Sequence, residues 1–233
     1  MKYKAIIFDV DGTLIENEEL HRQAFNDSFI DAGLDWNWSE KTYRDLLAIG
    51  GGKERIDHFQ RLVLKRSPAL SKLQVRTLHK RKRKLYERSL RSNNLTLREG
   101  VQELISKART KGLKLAIATA SSSSSVNCLC HSIWGMPTEQ VFDFITSGDT
   151  LLRNKPSPEV YLSTLRKLCL KPSDCIAIED SRTGLLAACS AGITTIVTPS
   201  SYTKNDDFSE ASFICKSVAQ QYLPEQLRMQ LFE

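Results

Sequence analysis

Five short apolar runs, each bounded by polar or turn-forming residues, are the most regular feature of the chain. They span residues 4–10, 113–119, 141–145, 175–178 and 194–197. A continuous apolar run of this length is typical of a β-strand that is buried on both faces of a parallel sheet. The pattern therefore predicts a central sheet that is covered by helices on both sides.

Segments with helical periodicity separate these runs. Residues 101–111, 159–169 and 182–191 carry apolar positions at helical spacing, and another helix is predicted after the serine run at residues 121–125. Strands that alternate with helices at this spacing indicate an α/β fold with a doubly wound, Rossmann-like parallel sheet.

The stretch between the first and second predicted strands has a helical pattern of apolar residues. Leu20, Ala24, Phe25 and Phe29 repeat on one side of a helix, and little between residues 16 and 95 is strand-like. We therefore predict two domains, with a helical domain at residues 16–95 inserted after the first strand. The remaining segments, 1–15 and 96–233, form the predicted α/β core.

Basic residues outnumber acidic ones, with a net charge of +6, and much of the excess lies in the run of five at residues 80–84. Leu73, Leu78, Leu85 and Leu90 predict the apolar face of a helix, so the basic run is interpreted as its solvated face. No aromatic residues alternate with these cations to stack on bases, which disfavours a nucleic-acid partner.

No apolar run approaches the roughly 20 residues that a membrane span requires, and the first residues do not have the layout of a signal peptide. We expect a monomer in the cytoplasm, or in the plastid stroma if a transit peptide has been removed.

Six cysteines lie in apolar or helical contexts without the spacing of a disulfide framework or a zinc site. They are Cys128, Cys130, Cys169, Cys175, Cys189 and Cys215. We expect reduced thiols that pack as small hydrophobic side chains. Their spacing gives no indication of redox control.

Polar residues follow the predicted strands, where ligands bind in open parallel sheets. They are Asp9, Asp11, Thr119, Ser121, Asp149, Lys155, Glu179 and Asp180. Several carboxylates, one ammonium group and hydroxyls suit a hard cation together with a phosphate, because the acids alone would repel the phosphate. The sequence therefore predicts a Mg²⁺ site and phosphoryl-transfer chemistry.

The residues of this set divide the predicted chemistry among them. Asp9 attacks phosphorus and, with Asp180, offers carboxylate oxygens to Mg²⁺, while Asp11 offers a backbone carbonyl. The side chain of Asp11 acts as general acid and base. Thr119 and Lys155 hold the oxygens of the transferred phosphoryl group.

These motifs resemble the haloacid dehalogenase-like hydrolase superfamily over essentially the whole chain. Residues 8–13, F-D-V-D-G-T, are similar to its first motif, and Thr119 and Lys155 to its second and third. Glu179 and Asp180 are similar to the fourth, which implies Asp9, Asp11, Glu179 and Asp180 as the metal site. The helical insertion resembles the family's C1-type cap.

Residues 16–26 and 50–55 resemble the CbbY-type branch, which is related to β-phosphoglucomutase. That resemblance implies hydrolysis of xylulose 1,5-bisphosphate to xylulose 5-phosphate, which removes an inhibitor of Rubisco. The implied substrate-binding residues are Glu18, His21, Tyr43, Arg44, Gly51, Gly52, Lys53, Arg55 and Ser121. A glycine-rich turn followed by Lys53 and Arg55 is chemically suited to a second phosphate.

Other activities stay open at this point. A sugar-phosphate mutase would use the same aspartates, and another small phosphomonoester such as phosphoglycolate could be the substrate. A dehalogenase needs neither a metal nor Asp11, so the acidic set disfavours it. A phosphonate-cleaving enzyme would use a cap lysine such as Lys53 as a Schiff base. A binding module that retains a catalytic fold is the alternative from a different class, motivated by the basic run.

Overall fold

The computed structural model describes residues 3–64 and 69–233. The chain forms two compact units, one composed of Met1–Glu16 and Leu95–Glu233, the other of Asn17–Asn94. Residues 1 and 2 of the predicted core, and residues 65–68 of the predicted insertion, lie outside the described residues.

The first unit is built on a parallel sheet of six strands in the order β3-β2-β1-β4-β5-β6. The strands are β1 (Ala5–Phe8), β2 (Lys114–Ala118), β3 (Phe144–Thr146), β4 (Cys175–Glu179), β5 (Thr194–Val197) and β6 (Phe213–Ile214). The predicted doubly wound parallel sheet is confirmed.

Ten α-helices are described, numbered here along the whole chain. They are α1 (Glu18–Asp31), α2 (Glu40–Leu47), α3 (Gly52–His58), α4 (Lys72–Ser92), α5 (Val101–Thr110), α6 (Ser123–Trp134), α7 (Thr138–Val141), α8 (Glu159–Leu168), α9 (Arg182–Ser190) and α10 (Glu225–Leu231). A π-helical turn, Phe59–Val63, continues α3, and short 3₁₀ turns occur at Gly148–Thr150, Pro172–Asp174 and Gln220–Tyr222.

The register of the central strands aligns the carboxyl ends that carry the polar residues. Phe8, the last residue of β1, pairs with Ile117 on one side and Ile178 on the other. All of β1 and β4 is buried, as expected for strands covered on both faces. Asp9 and Asp180 therefore follow neighbouring strands at the same edge of the sheet.

Two strand predictions were wrong. Residues 141–145 were expected as one strand, but Val141 ends helix α7 and the strand begins only at Phe144. Apolar composition alone does not separate a buried helical turn from a strand. The sixth strand, β6, was missed because two residues, one exposed and one half-buried, leave almost no pattern.

Aromatic side chains form the interior of the second unit. Phe25 of α1 lies 4.5 Å, centroid to centroid, from Trp38 and 6.1 Å from Tyr43. Phe29 and Phe59 also contact Trp38, at 5.0 and 5.5 Å. Offset and edge-on pairs of this kind add stability beyond the area that they bury. They hold α2 and the end of α3 against α1.

Helix α4 contradicts part of the prediction for the basic run. Its buried face carries one residue per turn, namely Val75, Leu78, Lys82, Tyr86 and Leu90. Leu73 is 72% exposed, whereas Lys82, expected on the solvated side, is only 5% exposed. The spacing of the leucines predicted part of the buried face wrongly. The residues that are buried at three- and four-residue intervals along the helix include a lysine.

Of the other cations of the run, Lys80, Arg81 and Lys84 are exposed, whereas Arg83 is half-buried. Lys80, Lys84 and Arg88 follow one another at four-residue intervals and are all exposed. Within residues 3–64 and 69–233 none of these three forms an ion pair, whereas Arg81 pairs with Asp31 at 2.7 Å. A Ser71–Gln74 capping box stabilises the start of this helix.

All six cysteines lie within the described residues, and none of them forms a disulfide bond there. Cys128, Cys130, Cys175 and Cys215 are buried. Cys169 was expected in the core but is exposed, because it ends α8 in the left-handed conformation with φ of 55°. None of the described helices is both long and apolar enough to cross a bilayer.

Candidate active site

A buried lysine links two carboxylates at the carboxyl edge of the sheet. The Nζ of Lys155 donates to Asp9 Oδ1 at 2.7 Å and to Glu179 Oε1 at 2.5 Å. Asp9 is 7% exposed, Lys155 6% and Glu179 not at all. A buried charge is tolerated only when it is paired and hydrogen-bonded, so the three groups stabilise one another.

The protonation of this cluster depends on its net charge. Burial raises the pKa of Asp9 to about 8; Lys155 opposes the shift, whereas the charges of Glu179 and Asp11 add to it. Burial alone would lower the pKa of Lys155, but the carboxylates of Asp9 and Glu179 hold it above its usual range. Lys155 is thus an ammonium group, and additional positive charge would favour the ionised form of Asp9.

Three acids of this edge could hold a cation together. One carboxylate oxygen from each of Asp9, Glu179 and Asp180 lies within 4.8 Å of the others, and all three residues are buried. Oxygen ligands at this separation suit a hard divalent cation. Glu179 Oε2 also has no hydrogen-bond partner among the described residues. The donor set therefore fits a metal of the Mg²⁺ type.

Two glycines leave room for these carboxylates. Gly12 has a φ of +78°, and a Cβ at this position would overlap the carboxylate of Asp180. A Cβ on Gly184, in the first turn of α9, would overlap the carboxylate of Glu179. Glycine is therefore required at both positions, for backbone conformation at the first and for space at both.

The remaining predicted core residues lie close to one another. Ser121 Oγ donates to Asp11 Oδ2 at 2.5 Å, and the Ser121 amide donates to Thr119 Oγ1 at 3.0 Å. The carboxylate of Asp11 is not a member of the acidic triad. This arrangement suits a proton carrier that does not bind the metal through its side chain. The carboxylate of Asp149 instead accepts hydrogen bonds from Ser123 and Ser147.

Several supporting residues were missed in the sequence. Tyr161 of α8 donates its hydroxyl to Glu179 Oε1 at 2.5 Å, and burial raises its pKa well above the usual range. Thr203 donates to the backbone carbonyl of Asp180 at 2.7 Å. Tyr161 lies six residues after Lys155 but outside the motif, and Thr203 lies 23 residues after Asp180, so only the fold relates their hydroxyls to the site.

Arg98 was also missed, although it connects two loops of the site. Its guanidinium donates to the carbonyl oxygens of Gly12, Thr198 and Pro199. Its Nε forms an ion pair of 3.2 Å with Glu16. A planar group with several donors can hold loops after β1 and β5 at a fixed separation. No sequence motif marks this role.

In the second unit, the predicted substrate-binding residues form two groups. The first joins Glu18, Tyr43 and Arg55. The Tyr43 hydroxyl donates to Glu18 Oε2 at 2.6 Å, and Arg55 lies 5.9 Å above the Tyr43 ring while its Nε donates to the Ile49 carbonyl at 2.9 Å. Tyr43 is fully buried, so this group has a fixed geometry.

The second group surrounds His21. Its ring stacks on Tyr86 with centroids 3.8 Å apart, and its Nδ1 lies 2.5 Å from Lys82 Nζ. Asn17 donates to the Tyr86 hydroxyl at 2.6 Å. Because an ammonium can only donate, Nδ1 is the acceptor and the His21 proton is on Nε2. Lys82, which sequence reasoning placed on the surface, therefore sets the tautomer of a predicted site residue.

The other predicted residues of this unit lie on α2 and at the start of α3. Gly51 precedes α3 with a φ of +98°, and Gly52, its first residue, packs against His79 and Phe25. Arg44 is half-buried on α2, and Lys53 is exposed at the start of α3. The roles of these residues in substrate binding stay predictions.

Comparisons with known proteins agree with this geometry. Residues 6–198 match the family described as haloacid dehalogenase-like hydrolase. The chain is 45% identical to the CbbY protein of Rhodobacter capsulatus over 229 residues, which cover 97% of this chain and 99% of the relative. It is 42% identical to the CbbY protein of Cereibacter sphaeroides, with 93% of both chains covered.

Solved structures show the same similarity. The structure of CbbY from Rhodobacter sphaeroides in complex with xylulose-(1,5)bisphosphate superposes with a TM-score of 0.89 at 40% identity and covers 93% of this chain and 95% of that one. β-Phosphoglucomutase from Clostridium difficile shares the fold, with a TM-score of 0.79 at 23% identity, covering 98% and 96%. The chain therefore belongs to the haloacid dehalogenase-like hydrolases and, within them, to the CbbY group.

Proposed function

We propose that this chain is a Mg²⁺-dependent phosphatase that hydrolyses xylulose 1,5-bisphosphate to xylulose 5-phosphate through an aspartyl-phosphate. The observation that supports it most strongly is the buried cluster in which Lys155 bridges Asp9 and Glu179 beside Asp180. The substrate class is supported by the bisphosphate bound to the CbbY protein of Rhodobacter sphaeroides.

In this proposal Asp9, Glu179 and Asp180, with the carbonyl of Asp11, hold Mg²⁺. When bound, Mg²⁺ supplies positive charge that stabilises the ionised form of Asp9 and the phosphoryl oxygens. A carboxylate oxygen of Asp9 attacks phosphorus and forms a P–O bond, while the bond from phosphorus to the sugar oxygen breaks. Lys155 balances the negative charge of the transferred group.

Asp11 moves the protons. In its acid form it donates to the departing sugar oxygen, and the resulting carboxylate then takes a proton from the water that attacks phosphorus. That second attack releases inorganic phosphate and regenerates Asp9. The hydrogen bond from Ser121 to Asp11 Oδ2 supports this role, because it holds the carboxyl group in a fixed orientation.

We further propose that Asn17–Asn94 is a cap domain that recognises the rest of the substrate. A bisphosphate carries a second dianionic group that needs donors and positive charge of its own. Arg55 and Lys53 at the start of α3 are suited to it, and the Nε2–H of His21 is suited to a substrate oxygen. Lys82 adds a buried positive charge beside His21.

The test is phosphate release in the presence of Mg²⁺ from a panel of substrates. The panel contains xylulose 1,5-bisphosphate, phosphoglycolate and other sugar monophosphates. We expect kcat/KM to be highest, by at least about 100-fold, for the bisphosphate. Similar values across the panel would contradict the substrate assignment but not the chemistry. Formation of glucose 6-phosphate from glucose 1-phosphate and an activating bisphosphate would instead indicate a mutase.

Two aspartate variants serve as a matched pair. Asp9→Asn removes the nucleophile, and turnover is expected to vanish. Asp174→Asn alters a half-buried aspartate at the opposite edge of the sheet, which pairs with Lys4 at 3.3 Å. Turnover should then stay within about twofold of the unaltered protein, because surface pairs contribute little. Full activity of Asp9→Asn would exclude the proposed chemistry.

A further inference from the structure

Glu179 is held by more than its lysine partner. Its Oε1 accepts from Lys155 Nζ and from the Tyr161 hydroxyl, each at 2.5 Å. The Tyr161 side chain is completely buried and comes from α8, whereas Glu179 ends β4. Phenylalanine at this position would bury the same ring without the hydroxyl. The Tyr161 hydroxyl is therefore not needed for packing, and its role is the hydrogen bond to Glu179.

The carboxylate of Glu179 has little freedom to turn. Gly184 of α9 lies against the same carboxylate so closely that a single added methyl group would overlap it. Helix α9 therefore confines the group from one side, and two donors hold Oε1 from the other. A side chain fixed in this way loses its rotamer freedom when the protein folds. Binding of a cation then requires no further loss of side-chain entropy.

Lys155 alone cannot provide this restraint. Its ammonium group also donates to Asp9 Oδ1 at 2.7 Å, so one cation is shared by two carboxylates. The same ammonium lies 5.3 Å from the centroid of the Tyr161 ring. Tyr161 thus contacts both members of the Lys155–Glu179 pair, by its hydroxyl and by its ring face.

We propose that Tyr161 is a positioning residue, which fixes the Glu179 carboxylate beside Asp9 and Asp180 and thereby sets the affinity of the acidic triad for a divalent cation. This inference rests on the proposed Mg²⁺-dependent function. Partners that orient metal-binding side chains typically change metal affinity or activity by about 10–100-fold when they are removed.

Tyr161→Phe removes only the hydroxyl, and Thr164→Val is its matched control. Thr164 lies one turn further along α8, is fully buried, and donates its hydroxyl to the carbonyl of Val160 at 2.8 Å. Both variants lose one buried hydroxyl from the same helix. Only Tyr161 contacts the proposed metal-binding group.

Mg²⁺ binding is measured by calorimetry without substrate, alongside kcat, KM and unfolding by urea. We expect Tyr161→Phe to weaken Mg²⁺ binding about tenfold and to lower kcat at fixed Mg²⁺ with little change in KM. Thr164→Val should bind Mg²⁺ as the unaltered protein does.

Equal Mg²⁺ affinity in Tyr161→Phe and the unaltered protein would overturn the inference. So would equal losses in the two variants, or failure of Tyr161→Phe to fold, since the hydroxyl would then have a purely structural role. If the unaltered protein itself bound no Mg²⁺ and hydrolysed substrate equally well in chelator, the proposed function would fail instead.

Discussion

At the scale of single residues, most of the candidate site could be predicted from the polar residues that follow the strands. Asp9, Asp11, Thr119 and Asp180 could be predicted because they come within three residues of the end of a buried strand, and Lys155 because it lies in the loop after β3; parallel strands end at one edge. The structure brings them together there.

Residues that act through other residues could not be predicted in this way. Tyr161 has the position of an ordinary apolar residue of an amphipathic helix, and Arg98 lies in no motif. Lys82 is one of five consecutive basic residues, and its burial depends on the rotation of a helix whose apolar spacing is ambiguous. Such roles arise from tertiary contacts, which local pattern does not encode.

Loss of the Lys155 ammonium is predicted to affect activity and stability together. Lys155→Met leaves Asp9 and Glu179 as buried carboxylates without their shared cation. We expect a fall in kcat of about 10²–10³-fold and a loss of about 3–5 kcal/mol in the free energy of unfolding. Steady-state kinetics and urea unfolding measure the two effects.

The control is Lys167→Met in the last turn of α8. Its exposed ammonium donates to the Ile145 carbonyl at 2.6 Å and contacts no carboxylate of the site. Both quantities should stay close to those of the unaltered protein. A Lys155→Met variant that behaved like this control would show that the central cluster is not needed.

At the scale of secondary-structure elements, most helices and strands of the first unit were predictable. Strand β5 was predicted to the residue, and helices α5, α8 and α9 to within one residue at each end. The ends of α5 and α9 could be predicted because Gly112 and Gly192 follow them, and glycine commonly terminates helices. The misplaced β3 shows the limit, because residues 141–145 are apolar whether they form a helical turn or a strand.

The end of α8 gives a stability prediction. Cys169 occupies a left-handed position with φ of 55°, where most residues with a side chain are strained. Cys169→Gly is therefore expected to stabilise the protein by about 1 kcal/mol. The free energy of unfolding measures the change.

A glycine at Cys189 is the matched control. Cys189 lies within α9, where glycine costs roughly 0.3 kcal/mol more than cysteine in helix propensity, and the hydrogen bond from the thiol to the Glu210 carbonyl is also lost. The two substitutions should thus have opposite signs. Destabilisation by Cys169→Gly would mean that contacts of the thiol outweigh the backbone strain.

At the scale of the whole molecule, charge is unevenly distributed. Helix α4 carries nine lysines and arginines and one glutamate, so its net charge of +8 exceeds the +6 of the entire chain. One of these positively charged side chains, Lys82, lies in the interior of the second unit. Composition revealed the excess, but not that one cation, Lys82, is buried.

The positive charge around His79 is predicted to make the stability of the second unit sensitive to acid. Burial lowers the pKa of His79 to about 3, and the positive charges of Lys82 and Lys53 act in the same direction. The unfolded chain binds this proton near pH 6.5. Between these values the unfolded state holds more protons, so stability falls as the pH decreases below about 6.5, by at most about 1.4 kcal/mol per pH unit.

Urea unfolding at pH 7 and pH 5 tests this expectation with His79→Phe, which keeps a ring but cannot be protonated. The decrease between the two pH values should be smaller than in the unaltered protein. His131→Phe alters an exposed histidine of α6 and should leave the decrease unchanged. Equal decreases in all three proteins would refute the assignment to His79.

We predict that Asp9, within the cluster of Lys155, Glu179 and Asp180, becomes phosphorylated during turnover. The direct measurement is rapid acid quenching of the enzyme during hydrolysis of xylulose 1,5-bisphosphate, followed by borohydride reduction and peptide mass spectrometry. Borohydride converts an aspartyl-phosphate to homoserine. We expect homoserine at position 9 when Mg²⁺ and substrate are both present, and at no other aspartate. Modification at Asp11, or an unmodified Asp9 in an enzyme that is turning over, would contradict it.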